Sequence, residues 1–434
     1  MRSNCAPLLY TLRVSTAFLI ESIVALVLCV NAVRPLSAGG ALSFASMMLS
    51  WLCMELAPQS LVIQFGFTLG FSLSGGLDGA TGKIALALSL VSMALLAYLI
   101  SVAMRSKGVV EDALTETLGT DYGERTARRH PDDDLRVPWR QLVMPFWMRH
   151  PDVERIPNIA YGDPHRRNML DVYRHRDRPT GCPTLIEIHG GGWTIGNKDQ
   201  QGKPIMLHLA SRGWVCFAPN YRLAPRALWP AQILDVKRAI AWVREHAEEY
   251  GADPDFIVVT GGSAGGHLAA LAALTANDPE WQPGFEGTDT SVQAAIPYYG
   301  VYDFTRSETR ANRALLRLLQ RQVFRKKLRD APEEFAAASP VHRVNEDAPP
   351  FFVIHGAHDS LVPVTETRRF VERLRAVSKA PVVYAELPGA QHAFDVFPSI
   401  RTAHVTRASE RFADHVYSRY REPADTVLPR AESS

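Results

Sequence analysis

The sequence has almost no charge imbalance. Its 47 Lys and Arg face 45 Asp and Glu over 434 residues, a formal net charge of +2. A chain so balanced carries no electrostatic footprint for nucleic acid, and no nucleic-acid partner is expected. Cysteine is scarce: of five, Cys5, Cys29 and Cys53 fall in the apolar N-terminal third, leaving Cys182 and Cys216 for the rest. Two residues make no disulfide framework, and the count favours a reducing compartment. Metal signatures are missing as well, since none of the 14 histidines stands in H-E-x-x-H or at a cysteine–histidine metal spacing. The glycine-rich stretch Gly75–Lys83 fails as a phosphate loop, because Leu77 occupies a required glycine position and Ile84 replaces the hydroxyl residue. Neither a cofactor nor a metal is expected.

Charge is missing in another sense between Pro35 and Met104, where only Glu55, Asp78 and Lys83 occur. Ile84–Met104 is 21 residues without a charge. At roughly 1.5 Å per residue it matches a hydrocarbon core of roughly 30 Å. Val14–Val33 is a second span, interrupted by Glu21. Ala41–Ser74 is too long for one upright span and is broken at Pro58, so it reads as two shorter helices that do not fully cross. Residues 1–104 are therefore expected to form an all-α transmembrane region of three or four helices. A cleaved signal peptide, with Arg2 and Arg13 before the first apolar run and small residues near Ser37 and Ala38, is the alternative for the first segment. Glu21 and the later apolar segments speak against it. Arg2 and Arg13 precede the first span while Arg105 and Lys107 follow the last. The excess of cytoplasmic Lys and Arg then predicts an even number of crossings and a cytoplasmic catalytic domain, whereas three crossings would send it outside.

From Arg105 to about Asp152 the composition turns polar. Its first half, with the acidic run Asp132–Asp134, reads as a tether. Arg136–His150 crowds Trp139, Leu142, Val143, Met144, Phe146, Trp147 and Met148 between arginines, which suits either a bilayer interface or an arm packed over the following domain. From residue 153 to about 420 strand and helix patterns alternate, as in an α/β domain with a mostly parallel sheet and helices on both faces. Short apolar runs lie at Leu170–Tyr173, Thr184–Ile188, Val215–Ala218, Phe256–Thr260, Ala294–Tyr298, Phe351–His355 and Val382–Glu386. Ala231–Tyr250 has helical periodicity stopped by Gly251. Roughly 265 residues are ample for one large core, which is expected to lie wholly in this part. Residues 421–434 read as a polar tail.

The chemistry is carried by three segments. Val258–Gly266, VVTGGSAGG, is a strand followed by G-x-S-x-G and a helix-forming run, so Ser263 sits on a sharp turn that exposes its hydroxyl. His189–Trp193, HGGGW, follows the strand Thr184–Ile188. Its glycine N–H groups, with that of Ala264, can donate to an oxyanion. A serine hydroxyl needs a base, and the base needs an orienting acid. Asp359 follows the strand Phe351–His355, and His392 follows the strand Val382–Leu387, giving the order Ser, Asp, His. His355 and His358 are rival bases beside Asp359, and His189 reads as a structural loop residue.

On HGGGW, YRLAP (Tyr221–Pro225), GGSAGG and the Asp359 and His392 loops, residues 157–420 resemble the hormone-sensitive-lipase-like carboxylesterases of the α/β-hydrolase superfamily. The resemblance implies an α/β-hydrolase fold and an oxyanion hole at Gly191, Gly192 and Ala264. Arg226 departs from it, since the family usually has glutamate there. The membrane-spanning third is similar to that of membrane-anchored actinobacterial esterases, and of prenylcysteine methylesterases that share HGGGW-x-x-G. An ester or lipid substrate and a bilayer are the partners implied; the oligomeric state is left open. Acyl transfer or amide cleavage at the same site, and an inactive membrane scaffold, are the alternatives. Arg306, Arg310, Arg313, Arg317 and Arg321 fall at helical steps within an insertion at about 303–345. They read either as a solvated face or as a lid lying against anionic headgroups.

Overall fold

A computed structural model describes residues 5–36, 40–122, 139–163 and 167–421. Arg2, the small residues Ser37 and Ala38, the acidic run Asp132–Asp134, Arg136 and the tail beyond Arg421 lie outside the described residues. The element bounds are α1 (Cys5–Val33), α2 (Gly40–Glu55), α3 (Ala57–Leu73), α4 (Gly79–Leu118), α5 (Trp139–Val143), β1 (Val153–Ala160), β2 (Met169–His175), β3 (Cys182–Ile188), α6 (Lys203–Ser211), β4 (Val215–Pro219), α7 (Ala231–His246), β5 (Ala252–Gly262), α8 (Ala264–Leu274), β6 (Ala294–Tyr298), α9 (Arg310–Leu318), α10 (Pro332–Ala337), β7 (Phe351–Gly356), α11 (Val364–Val377), β8 (Val382–Leu387) and α12 (Ile400–Arg421).

Each of the seven short apolar runs after residue 153 becomes a strand. Together with β1 they form one eight-stranded sheet ordered β1-β2-β4-β3-β5-β6-β7-β8. Only β2 runs against its neighbours; the pairs from β4 through β8 are parallel. Parallel strands covered on both faces need apolar residues at every position, and β3, β4, β6 and β7 are buried along their whole length. The pattern missed β1. It is a half-exposed edge strand containing Pro157, and it lacks the continuous apolar run of its neighbours.

Helices α7, α8 and α11 cover one face of the sheet through Ile233, Ile240, Leu268 and Phe370. On the other face lie α6 and α12, joined by Val110, Ala113 and Leu114 of α4 and by Tyr122. The expectation of a core wholly downstream of residue 153 is therefore corrected. The polar composition after Arg105 does not end α4 either. The helix runs on for a turn-by-turn total of 40 residues to Leu118, because its inner stripe stays apolar where it meets the sheet layer. Gly119, at φ +89°, then ends it.

In the N-terminal region α1 and α4 are long and apolar enough to cross a membrane, and α2 and α3 are bent by 83° at their junction. The bend falls at Leu56, with Pro58 in the first turn of α3, where a missing N–H costs nothing. Ser22 Oγ lies 2.9 Å from Ser89 Oγ, a separation of 67 residues. Cys29 and Ala32 share a cluster with Leu96 and Leu99, again 67 residues on. A constant offset means that α1 and α4 run parallel. Phe18 stacks on Phe71 at 5.1 Å, near the end of α3. Met54 and Ala57, before and at its start, join the Cys29 cluster instead. Thus α3 runs antiparallel to both, and Arg13 and Arg105 lie at opposite ends of the bundle.

Two further segments differ from the sequence expectation or refine it. Val143, Phe146 and Trp147 of the aromatic arm are 67%, 66% and 61% exposed, so its side chains do not pack inward as a group. The arm is nonetheless fixed at both ends of this stretch. The Gln59 side chain of α3 donates to the Leu142 carbonyl, and Phe146 packs on Phe397 at 5.3 Å. In the insertion, α9 begins only at Arg310 under a Thr309 cap, so Arg306 lies outside the helix and pairs with Glu308. Arg310, Arg313, Arg317 and Arg321 are exposed, while Leu315 and Leu316 pack inward.

Because α4 closes the sheet layer, a chain starting at residue 150 is expected to be less stable than one starting at residue 105. Burying Val110 and Leu114 alone contributes about 3–6 kcal/mol. Thermal unfolding of the two chains should differ by on the order of 10 °C. Equal midpoints would mean that α4 merely rests on the surface.

Candidate active site

Strand β5 ends at Gly262, and the chain reverses through Ser263 into α8. Ser263 takes φ 59°, ψ −118°, a left-handed conformation that a serine adopts only when its surroundings impose it. The flanking residues explain the turn's composition. A Cβ at Gly261 or Gly265 would overlap the carbonyl oxygen of Ile188, so β5 and α8 can approach β3 only without side chains there. The elbow is pinned by Ser263 N–H donating to the Tyr298 carbonyl at 3.0 Å. Ser263 itself is half-buried, whereas Ala264 is fully buried at the first turn of α8, where N–H groups have no partner within the helix.

The HGGGW loop leaves β3 beside this turn. Gly190 packs against Ser263, and its N–H donates to Gln201 Oε1 at 2.7 Å. Gly191 and Gly192 follow with φ +115° and +56°, conformations that favour glycine. Leu318, at the end of α9, lies against Gly192 and brings the insertion over the loop. His189 is structural: it stacks on Tyr221 at 4.3 Å, and the Tyr221 hydroxyl donates to its carbonyl. Burial pushes its imidazole down to about 4, so it stays neutral.

Asp359 follows β7 and is fully buried. Its Oδ1 accepts from the N–H groups of Leu361 and Val362, both at 2.8 Å, and its Oδ2 accepts from His392 Nδ1 at 2.6 Å. Burial opposes its ionisation. The neighbouring His392 and His355 outweigh that and hold the carboxyl well below the usual range. His355 is therefore no rival base. Its Nε2 lies 3.2 Å from the same carboxylate oxygen and 3.0 Å from the Val362 carbonyl, and its Nδ1 meets Thr367. His358 lies outside this network.

Residues that the sequence reading missed complete the site. Gln391 Oε1 accepts from His392 N–H at 2.9 Å and from Ser360 N–H at 2.8 Å, tying the two loops together. Tyr299, at φ +36°, stands between Gly262 and His392, its ring 4.6 Å from the imidazole. Its hydroxyl donates to Asp395, whose carboxyl burial raises to about 6. Farther back, burial first and Asp395 second raise Glu187 to about 8. Only the position of Gln391 beside His392 hinted at any of this. Among the described residues no cluster of His, Cys, Asp and Glu could hold a metal.

The geometry has counterparts in known proteins. A family model described as BD-FAE matches residues 170–374. The probable carboxylic ester hydrolase LipM of Mycobacterium tuberculosis is 56% identical over 263 residues, covering 60% of this chain and 61% of LipM. The match thus spans about three fifths of that relative's length. Esterase LipQ of the same organism is 45% identical over 324 residues, covering 73% of this chain and 76% of LipQ. In fold, the chain is similar to the inhibited esterase B from Lactobacillus rhamnosis, with a TM-score of 0.53 and 21% identity over 72% of this chain and 98% of that one. With an elbow, a glycine loop and a carboxylate-held histidine at one sheet edge, and with LipQ 45% identical over 76% of its length, the chain belongs to the carboxylic ester hydrolases of the α/β-hydrolase superfamily.

Proposed function

We propose that the chain hydrolyses carboxylic esters at a bilayer surface through an acyl-enzyme formed on Ser263. The observation that carries this reading is the His392–Asp359 pair at 2.6 Å, set at the sheet edge where the left-handed elbow exposes Ser263. His392 Nε2 takes the hydroxyl proton as Ser263 Oγ attacks the ester carbonyl. The resulting oxyanion accepts from the N–H groups of Gly191, Gly192 and Ala264. Asp359 stabilises the imidazolium and fixes its Nδ1–H tautomer. The tetrahedral intermediate collapses, His392 protonates the leaving alcohol, and water repeats the sequence in reverse on the acyl-enzyme. No step calls for a cofactor.

Membrane anchoring rests on α1, α3 and α4. Their directions along the bundle support three crossings, with α2 lying across the end nearest the hydrolase domain. This departs from the even number expected from the flanking charges. An odd number sets the N-terminus and the catalytic domain on opposite sides. Arg34, Arg105 and Lys107 at the catalytic end, with Arg140 and Arg149 on the arm beside it, favour the cytoplasm for that end. The exposed Phe146 and Trp147, with Arg149 over the Trp147 ring at 5.1 Å, suit the headgroup layer.

Two outcomes test this function. Ser263→Ala should lower kcat/KM for a short ester by several orders of magnitude with the melting point retained, and Asp359→Asn by roughly 10⁴-fold. Retention of a tenth of wild-type activity in Ser263→Ala would remove the nucleophile. For the topology, a reporter active only outside the membrane should be active at the N-terminus and silent after Ser434. Identical behaviour at both ends would rule out three crossings.

A further inference from the structure

The loop that carries His392, from Pro388 to Ser399, is enclosed on its outer side by the membrane helices rather than by solvent. A Cβ at Gly389 would press on Val102 of α4. Trp51 of α2 packs on Phe397 at 5.3 Å. Glu55, at the end of α2, accepts from Ser399 Oγ at 2.7 Å and forms a buried ion pair with Arg401. Between these contacts lies Ser50 of α2, fully buried, whose Oγ accepts from Gln391 Nε2 at 3.1 Å.

The arrangement of donors at Gln391 makes this last contact specific. Its oxygen must face Ser360 N–H and His392 N–H, since an amide turned the other way would set its NH₂ against two donors. Ser50 is suited to hold that orientation. Its own proton goes to the Met47 carbonyl at 3.0 Å, so its oxygen is left to accept. A side chain from the N-terminal helices thereby reinforces the way Gln391 points. Gln391 fixes the backbone of the histidine relative to the residue following Asp359.

We propose that Ser50 is a positioning residue for catalysis, acting through Gln391 to set His392 against Asp359, so that α2 of the anchor is a working part of the active site. This rests on the reading of His392 as the base. Without Ser50 the Gln391 Nε2 loses its buried acceptor, and the oxygen shared by the two loops is held less firmly in place. A base displaced by a fraction of an ångström slows proton transfer but leaves ester binding intact.

The test uses the full chain in phospholipid nanodiscs with a short p-nitrophenyl ester, kcat being referred to sites titrated by a fluorophosphonate. Ser50→Ala should lower kcat per titrated site about tenfold with KM within about twofold, and Ser50→Thr should restore it. Gln391→Glu keeps acceptor oxygens for both N–H groups but loses the donor to Ser50. It should slow turnover similarly, and the double variant should be no slower than the slower single one. Wild-type kcat per titrated site in Ser50→Ala, or additive losses in the double variant, would overturn the proposal. If Ser50→Ala yields no titratable sites, Gln391→Glu alone decides, with wild-type kcat again overturning it. Ser263→Ala run alongside separates the two readings, since activity surviving there would remove the active site itself.

Discussion

The hydrogen bond between His392 Nδ1 and Asp359 Oδ2 joins two loops that leave different strands, and nothing local fixes the distance between them. A buried carboxylate holds its charge only while its donors stay in place. Here the donors come from three directions: the turn after β7, His355 behind it, and His392 across the gap. The sheet sets the strand ends, since β7 and β8 pair in parallel from Phe351↔Val382 to Gly356↔Leu387. Beyond those ends the chain must be held by side chains. Gln391 from within the hydrolase domain, and Ser50, Trp51, Glu55 and Val102 from the helices, supply that hold.

The N-terminal third is thus more than a fastening. The same helix, α4, passes from the apolar bundle into the sheet's cover, where Leu114 is fully buried beside the α12 residues Val405 and Phe412. The N-terminal helices and the hydrolase domain thus share one packed layer.

Much of this was legible in the sequence. A parallel sheet buried on both faces announces itself by unbroken apolar runs, and seven strands were found that way. Ser263, Asp359, His392 and the glycines stand out because turn geometry and close backbone approach leave few alternatives to Gly and Ser. What escaped has a common physical cause. The edge strand β1 is half-exposed, so its pattern is diluted. The inner stripe of α4 after Arg105 hides among charges because only one face is buried. Ser50, Glu55, Gln391 and Arg401 meet across more than three hundred residues of chain, and hydrogen-bonding side chains leave no periodic trace. The direction of α1 relative to α4 is likewise a matter of packing, which leaves no mark in the flanking charges.

At about 1.5 Å per residue, α4 is a continuous strut of about 60 Å. An enzyme on a slack leash sweeps a hemisphere and samples substrates at many heights above the bilayer. This one is cantilevered. Given the anchoring proposed above, its catalytic edge would stand at a fixed altitude and bearing relative to the lipid plane, and encounters with a membrane-borne ester would reduce to lateral diffusion in two dimensions. In that placement, a change in bilayer thickness that tilted the strut would swing the whole hydrolase with it.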